Sequence, residues 1–246
     1  MEKYKECETE IKSDTNTDVE FYLVDAFEIF HFEPFYIELR KKNINAVFIA
    51  EPWETNTSGK WFDYDSAIKI LDEKLKILHE VSKEATFPIS KEDRKLAEDT
   101  IKYLEMSQDE KIAEKYNLRA GMGMAFVQMG HKKRIFVIAN ELEEKGTFEE
   151  YIIINPKIIS ESEELIYVGE GEGCLSVNRE VEGIVPRHAR ITIEYYDYEG
   201  NKKKMRARED LAVAFQHEID HLNGILFVDK IDKKDPFKNK NKMREI

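Results

Sequence analysis

Residues 209–224 read EDLAVAFQHEIDHLNG, and this segment predicts the helix around which the chain folds. Glu209 and Asp210 place negative charge where a helix N-terminus favours it. No helix-breaking residue follows until Gly224, a typical residue at the C-terminal end of a helix. The sequence therefore predicts a helix over residues 211–223.

Two histidines of this predicted helix lie four residues apart, His217 and His221. On a helix both imidazoles leave the same face, one turn apart, and can bind one metal ion. Glu218 would lie beside the ion, where its carboxylate can take a proton from water that the ion acidifies. The alternative is a helix that holds these polar residues by chance, but burying them among apolar neighbours without a metal would be costly. The segment therefore predicts a metal site.

The third protein ligand decides the class of enzyme, because catalytic sites usually have three ligands and an open position. In the protease pattern HExxHxxGxxH it would stand at position 227, which is Phe227. In another protease pattern a downstream acid on a following helix binds the ion. The acids available after His221 lie in a short lysine-rich stretch with no evident helix: Asp229, Asp232, Asp235 and Glu245. A metallopeptidase that cuts internal peptide bonds remains an alternative without a credible ligand of its own.

Three motifs resemble those of peptide deformylases and occur in the family's order. The sequence EGCLS at residues 172–176 matches one motif, and QHEIDH at residues 216–221 matches the QHExDH helix. GMGMAFVQ at residues 121–128 is similar to the GxGxAAxQ motif. The resemblance covers residues 70–232 approximately and is to the longer of the family's classes.

The glycine-rich motif departs from the family pattern at two positions. Phe126 stands where a second alanine is usual, and Val127 stands where proline is frequent. Gly121, Gly123 and Gln128 are retained. We therefore expect a change in the shape of the cleft more than a change in the chemistry.

The resemblance implies a metal site formed by Cys174, His217 and His221, with water as the fourth ligand. Thiolate and imidazole ligands suit zinc, nickel, cobalt or iron(II), and the family implies iron(II) as the native ion. Glu218 would accept a proton from the attacking water and return it to the leaving amine. The products would be formate and a free methionine N-terminus.

The same resemblance implies two further donors to the developing oxyanion, the Gln128 side-chain amide and the Leu175 backbone N–H. A peptide would pair with the backbone near the glycine-rich motif and place its methionine in an apolar pocket, although ordinary core positions on a buried helix are the alternative for the pocket residues. Glu172 would orient the site through Arg187, with a surface ion pair as the alternative. The residues implied in substrate binding are Met122, Gly123, Glu172, Val213 and Ala214.

The implied function is a hydrolase that removes the formyl group from N-formylmethionyl nascent peptides. An alternative of a different class is a non-catalytic relative in which the metal only stabilises the fold. Glu218 and Gln128 speak against this alternative, because neither is a metal ligand and both have catalytic roles in the family. Phe126 and Val127 speak slightly for it.

Composition excludes several other functions. The chain has 246 residues and a net charge of −12, and an acidic surface repels nucleic acid and anionic lipid. No apolar run approaches the roughly 18–20 residues that a membrane span needs. Its two cysteines, Cys7 and Cys174, are expected to be reduced. The sequence therefore predicts a cytoplasmic protein with no DNA or membrane partner.

The predicted fold class is α+β, with mixed and antiparallel β-sheets packed around a central metal-binding helix. Residues 1–65 form an N-terminal extension of unknown role with apolar runs at 21–24 and 47–50, and a loop at Trp53–Lys60 marks a soft boundary. Residues 66–232 form the catalytic domain, and residues 233–246 form a lysine-rich tail. This tail could contact the ribosome transiently, or it could simply be solvated.

Within the catalytic domain the sequence predicts the elements from turn and capping signals. Ser90 and Asp93 have the spacing of a capping box before a helix. Strands are expected at residues 135–138 and 151–154, and residues 191–195 begin a hairpin that turns at Gly200.

Overall fold

The computed structural model describes residues 76–116, 118–177 and 181–246, and the backbone of three strands before them. The chain divides into two units, residues 1–73 and 74–246. In the first unit β1 (Val19–Leu23) pairs parallel with β2 (Ala46–Ala50), which pairs antiparallel with β3 (Lys60–Trp61). The apolar runs predicted there thus form β1 and β2. The predicted loop before Lys60, and also Cys7, lie outside the described residues.

In the second unit the strands and helices alternate along the chain. The strands are β4 (Gly123–Ala125), β5 (Ile135–Glu141), β6 (Phe148–Glu161), β7 (Leu165–Tyr167), β8 (Arg187–His188), β9 (Arg190–Tyr196), β10 (Lys202–Arg208) and β11 (Arg244–Glu245). The helices are α1 (Lys91–Gln108), α2 (Glu110–Tyr116), α3 (Glu209–Leu222) and α4 (Phe227–Lys230), with 3-10 turns at Phe126–Met129 and Lys240–Lys242.

The main sheet of this unit is antiparallel, in the order β10-β9-β6-β5-β4. The predicted hairpin is β9 and β10, in which Ile193 pairs with Met205. The predicted strands at residues 135–138 and 151–154 lie within β5 and β6. Their register brings Phe136 opposite Ile153. The sheet ends at β4, so the glycine-rich motif forms its edge strand.

Helix α1 confirms the predicted capping signal. The Ser90 hydroxyl accepts the Asp93 backbone N–H at 3.1 Å, which satisfies one of the free amide groups of the first turn. Ala97, Ile101 and Leu104 are buried on one face of the helix, which contacts β5.

Helix α3 lies at the centre of the unit and contacts β4, β5, β8, β9 and β10. Its apolar side chains Ala212, Phe215, Ile219 and Leu222 join the core of the main sheet. The Phe215 ring meets Phe136 edge to face at 5.5 Å. Gly224 follows the helix with φ +73°, and a Cβ there would lie 2.6 Å from the His79 carbonyl oxygen. The predicted central helix and α+β fold are confirmed.

A second, three-stranded sheet has the order β11-β7-β8. Strand β7 pairs antiparallel with β8 and parallel with β11. Residues 233–246, predicted as a lysine-rich tail, thus contain a strand that pairs with a segment about 80 residues earlier. The loop that follows β7 leads to Cys174.

Candidate active site

Cys174, His217 and His221 come together between the loop after β7 and helix α3. Their possible ligand atoms all lie within 4.8 Å of one another, and Cys174 Sγ is 3.2 Å from His221 Nε2. An isolated bridge between Cys174 and Val177 closes the turn that carries the thiol. The two histidines lie one turn apart on α3, as predicted. One thiolate and two imidazoles are a suitable ligand set for a transition-metal ion.

The charges around these three residues fit a cation. Burial lowers the pKa of His221 well below its usual value, so this ring is neutral and offers a lone pair. Burial also lowers the pKa of His217, but contacts with Cys174 and Glu172 outweigh this effect and raise it well above the usual value. Positive charge is therefore favoured where these groups meet, and a bound metal ion can supply it in place of a proton.

Glu172 fixes the orientation of His217. Its Oε2 atom lies 3.0 Å from His217 Nδ1, which leaves Nε2 to face Cys174. Arg187 donates two hydrogen bonds to the same carboxylate, at 2.7 and 2.8 Å. Burial alone would raise the pKa of Glu172, but the hydrogen bonds with Arg187 and His217 lower it to about 2. The pair with Arg187 is buried, unlike the surface ion pair considered as the alternative.

Asp220 extends this network away from the ligands. Arg187 Nη1 donates to Asp220 Oδ2 at 2.5 Å, and Lys230 Nζ donates to the same oxygen at 2.9 Å. Asp220 thus links α3 to β8 and α4. That Asp220 and Glu172 both accept hydrogen bonds from Arg187 was not predicted.

Glu218 lies on α3 facing β4, beside the three ligand residues. Burial raises its pKa to about 7, and its Oε2 atom is buried with no hydrogen-bond partner among the described residues. A Cβ atom at Gly123 would lie 2.8 Å from Glu218 Oε1. The glycine therefore lets the strand approach this carboxylate closely.

Gln128 is held in place by both ends of its amide. Oε1 accepts the Ala125 backbone N–H at 2.7 Å, and Nε2 donates to Ser176 Oγ at 3.1 Å. The same Nε2 lies 3.9 Å from Cys174 Sγ. The amide N–H groups are thereby directed toward the ligand residues. Ser176 was part of a recognised motif, but its contact with Gln128 was not predicted.

Arg119 supports the loop that carries Cys174 and Leu175. Its guanidinium donates to the carbonyl oxygens of Cys174 at 3.1 Å, Leu175 at 3.4 Å and Val177 at 3.4 Å. The sequence did not predict this residue. Its place two residues before Gly121 is the only signal, and a single arginine ahead of a glycine-rich motif does not by itself indicate which backbone it supports.

One cleft brings the predicted site residues together. Its wall includes the ligand residues Cys174 and His217, the predicted catalytic residues Gln128, Leu175 and Glu218, and the predicted substrate-binding residues Met122, Gly123, Glu172, Val213 and Ala214. Phe126 is not among the described residues that line it. The Phe126 side chain is fully buried, and its ring meets His131 edge to face at 6.3 Å. Its extra bulk thus lies in the interior, behind the glycine-rich strand.

Phe227 occupies the position where the protease pattern has a third histidine. Its ring stacks on His217, with ring centres 6.2 Å apart and an interplanar angle of 24°. The side chain packs in a small apolar cluster with Cys174, Val185 and Ile231. The third ligand candidate is therefore Cys174, and the apolar ring of Phe227 packs against His217.

The amino-acid sequence is similar to known proteins over most of the second unit. The family model for polypeptide deformylase matches residues 67–237. The peptide deformylase of Macrococcus caseolyticus is 50% identical over 157 residues, 64% of this chain and 85% of the relative. That of Oceanobacillus iheyensis is 53% identical over 150 residues, 61% of this chain and 81% of the relative.

Solved structures show the same similarity in three dimensions. The peptide deformylase from Ehrlichia chaffeensis superposes with a TM-score of 0.51 and 34% identity, covering 65% of this chain and 84% of that one. A plant peptide deformylase superposes with a TM-score of 0.53 and 26% identity, covering 64% of this chain and 77% of that one.

Proposed function

This chain belongs to the polypeptide deformylase family and is a hydrolase that removes the N-terminal formyl group of nascent polypeptides. We propose that Glu218 carries the proton in this reaction, beside a metal ion held by Cys174, His217 and His221. The observation that carries the proposal is the position of Glu218. Its buried carboxylate lines the cleft next to the three ligand residues. A buried base with a pKa of about 7 is suited to exchange protons near neutral pH.

The bound ion is a divalent transition metal, with iron(II) proposed as the native one and zinc, nickel or cobalt as substitutes. When bound, it acts as a Lewis acid toward water and the formyl oxygen. Cys174, His217 and His221 would supply it with one thiolate and two imidazoles, and three protein ligands are usual in catalytic sites that also bind water or substrate. Phe227 and the buried pair of Glu172 with Arg187 keep His217 in a fixed orientation.

The protein groups act on the formyl amide from two sides. Glu218 takes the proton of the attacking water, and the water oxygen bonds to the formyl carbon. The Gln128 amide and the Leu175 N–H donate to the formyl oxygen as it gains negative charge. Glu218 then gives the proton to the departing nitrogen as the C–N bond breaks. Formate and a free amino group result.

The peptide chain of the substrate binds along the edge of the main sheet. Strand β4 is the edge strand of this sheet, and its residue Gly123 lines the cleft together with the preceding Met122. An extended peptide can add to such an edge through backbone hydrogen bonds. The methionine side chain then lies against Val213 and Ala214, near the N-terminal end of α3.

We place this reaction in the cytoplasm, where nascent chains emerge. Among the described helices, none has the length and apolar character to cross a membrane. The lysine-rich residues 233–246 are our candidate for a transient ribosome contact, although Lys238 pairs with Asp232 at 2.5 Å. Replacing Lys233, Lys234 and Lys238 with glutamine tests this contact. Ribosome binding that is unchanged in this variant would contradict it.

The decisive experiment measures formate release from a formyl-methionyl tripeptide. The protein is purified without oxygen, loaded with iron(II) or nickel, and compared with its Glu218→Ala variant. We expect the variant to lose activity by about 10²–10⁴-fold while it keeps one metal ion per chain. Glu199→Ala, at an exposed hairpin turn, is the matched control and should remain active. Equal activity of parent and Glu218→Ala would refute the assigned role.

A further inference from the structure

The last described residues, Arg244–Ile246, pair with strand β7, and the loop after β7 leads to Cys174. The Ile246 N–H donates to the Tyr167 carbonyl at 3.0 Å, and the Gly169 N–H donates to the Ile246 carbonyl at 3.0 Å. The Tyr167 hydroxyl donates to Glu245 Oε2 at 2.5 Å. Strand β7 has three residues, so these bonds are a large part of its support.

The side chain of Ile246 packs against an apolar cluster that includes a residue of the cleft wall. It packs against the buried cluster of Ile166, Ala189 and Val213, together with Val168. Val168 and Val213 also line the cleft. The cluster against which Ile246 packs therefore shares Val213 with the cleft wall, and Val168 of the same wall packs against it as well. Ile246 itself is not one of the described residues of the cleft wall.

Arg244 joins the two elements that carry these valines. Its Nε atom donates to Glu164 Oε1 at 2.9 Å, immediately before β7. Its Nη2 atom donates to Glu209 Oε1 at 2.8 Å, at the first residue of α3. Glu209 has a φ of +51°, a conformation that non-glycine residues adopt only when neighbours hold it. Both ion pairs are half exposed, so Arg244 orients the elements more than it stabilises them.

We propose that Arg244–Ile246 sets the width of the methionine pocket by supporting Val168 and Val213 from behind. The proposal rests on the substrate pocket described under Proposed function. Ile246 is a positioning residue, because it touches the wall and not the reacting atoms. Core side chains are packed without spare volume, so removing its methyl groups leaves space into which the two valines can relax. The pocket then fits methionine less closely and accepts a bulkier side chain more readily.

The test compares the full-length variants Ile246→Ala and Ile246→Val, with Ile159→Ala as the matched control at an isoleucine that is 43% exposed on β6. Steady-state formate release is measured with formyl-methionyl and formyl-phenylalanyl tripeptides. For Ile246→Ala we expect KM for the methionyl substrate to rise about threefold to tenfold, with kcat within about twofold and metal content unchanged. The phenylalanyl substrate should gain relative to the methionyl one. Ile246→Val should restore most of the change.

A binding measurement separates this proposal from the reaction itself. The affinity of the product peptide Met-Ala-Ser, measured by calorimetry, reports the pocket without turnover. Weaker product binding by Ile246→Ala than by Ile159→Ala supports the proposal, whether or not formate release is detected. Unchanged product affinity in a folded Ile246→Ala protein overturns it. A loss of kcat together with bound metal also overturns it, because the segment would then act on the ligand residues and not on the pocket.

Discussion

Glu172 is the residue that most directly orients His217, one of the proposed metal ligands. Its carboxylate contacts His217 Nδ1 and accepts two hydrogen bonds from Arg187. A ligand histidine whose second nitrogen is fixed in this way binds metal more tightly, because the ring no longer has to be ordered on binding. The buried Arg187 in turn needs an anionic partner.

Replacing Glu172 with alanine should therefore weaken metal retention by about 10–100-fold. Metal content after equilibration with a competing chelator measures this directly. Glu194→Ala is a control for the loss of a carboxylate, because Glu194 forms an exposed ion pair with Lys202 at 2.8 Å and does not line the cleft. Equal metal content in the two variants would remove Glu172 from the support of the site.

Gly123 has a separate effect on Glu218, the proposed proton carrier. Because a Cβ atom there would lie 2.8 Å from Glu218 Oε1, Gly123→Ala must displace the carboxylate or the strand. Misplacement by about 1 Å can cost about 10²-fold in rate, so we expect a fall in kcat of that order. Thermal unfolding and metal content should change little. A normal kcat would show that the carboxylate can move without consequence.

At the scale of single residues, the sequence predicted which residues belong to the candidate site better than it predicted the contacts between them. The histidine spacing on α3 predicted His217 and His221 as a pair, since helical geometry relates them. Cys174 is 47 residues from His221, and only the family resemblance associated the two. The contacts of Arg119 with carbonyl oxygens could not be predicted, because any arginine can donate to a backbone and nothing in the sequence marks which one does.

Helix α3 is the element that unites the core with the site. Phe215 is part of the core, while His217 and Glu218 on the same helix line the cleft. The Phe215 ring meets Phe136 and Tyr151 edge to face, at 5.5 and 5.6 Å. The position of the metal ligands therefore depends on the packing of the opposite face of the helix.

Removing the Phe215 ring, as in Phe215→Ala, should lower the free energy of unfolding by about 3–5 kcal/mol. Urea denaturation measures the loss. The exposed Phe237, at 42% exposure, supplies the control Phe237→Ala, for which a change within about 0.5 kcal/mol is expected. Similar losses in both variants would mean that the aromatic contacts of α3 contribute little.

Elements with local signals were predicted well, and those that depend on distant pairing were not. The capping spacing at Ser90 and the turn at Gly200 act between neighbours in the chain, so α1 and the β9–β10 hairpin could be predicted directly. Strand β11 has two residues and pairs with β7 across 78 residues of sequence. Such a short strand in a lysine-rich stretch has no periodicity to reveal it. Strands β1 and β2 lie where apolar runs had indicated folded structure, whereas β3 does not.

At the scale of the whole molecule, the proposed metal ion would connect two parts of the second unit. One ligand lies on the loop after β7, and two lie on α3. An ion that binds the folded protein and not the unfolded chain stabilises the fold by mass action. The proposed site would therefore contribute to stability as well as to catalysis.

Removal of the ion with a chelator should lower the melting temperature, and adding it back should restore the original value. At a free metal concentration of about 100 times Kd the expected shift is roughly 5–10 °C for a unit of this size. Thermal scans of the parent and of Cys174→Ala, which lacks one ligand, measure it. A shift of the same size in Cys174→Ala would show that the ion acts elsewhere.

The pairing of β7 with β11 also fixes an order of events during biosynthesis. Glu245 is made 78 residues after Tyr167, a delay of roughly 4–16 s at about 5–20 residues per second. Through this interval β7 has one edge without its final partner, and open strand edges invite pairing with other chains. The brevity of β7 limits this hazard, because three residues offer little template for aggregation. The proposed support of the pocket wall by Arg244–Ile246 would thus form only after these residues have been added.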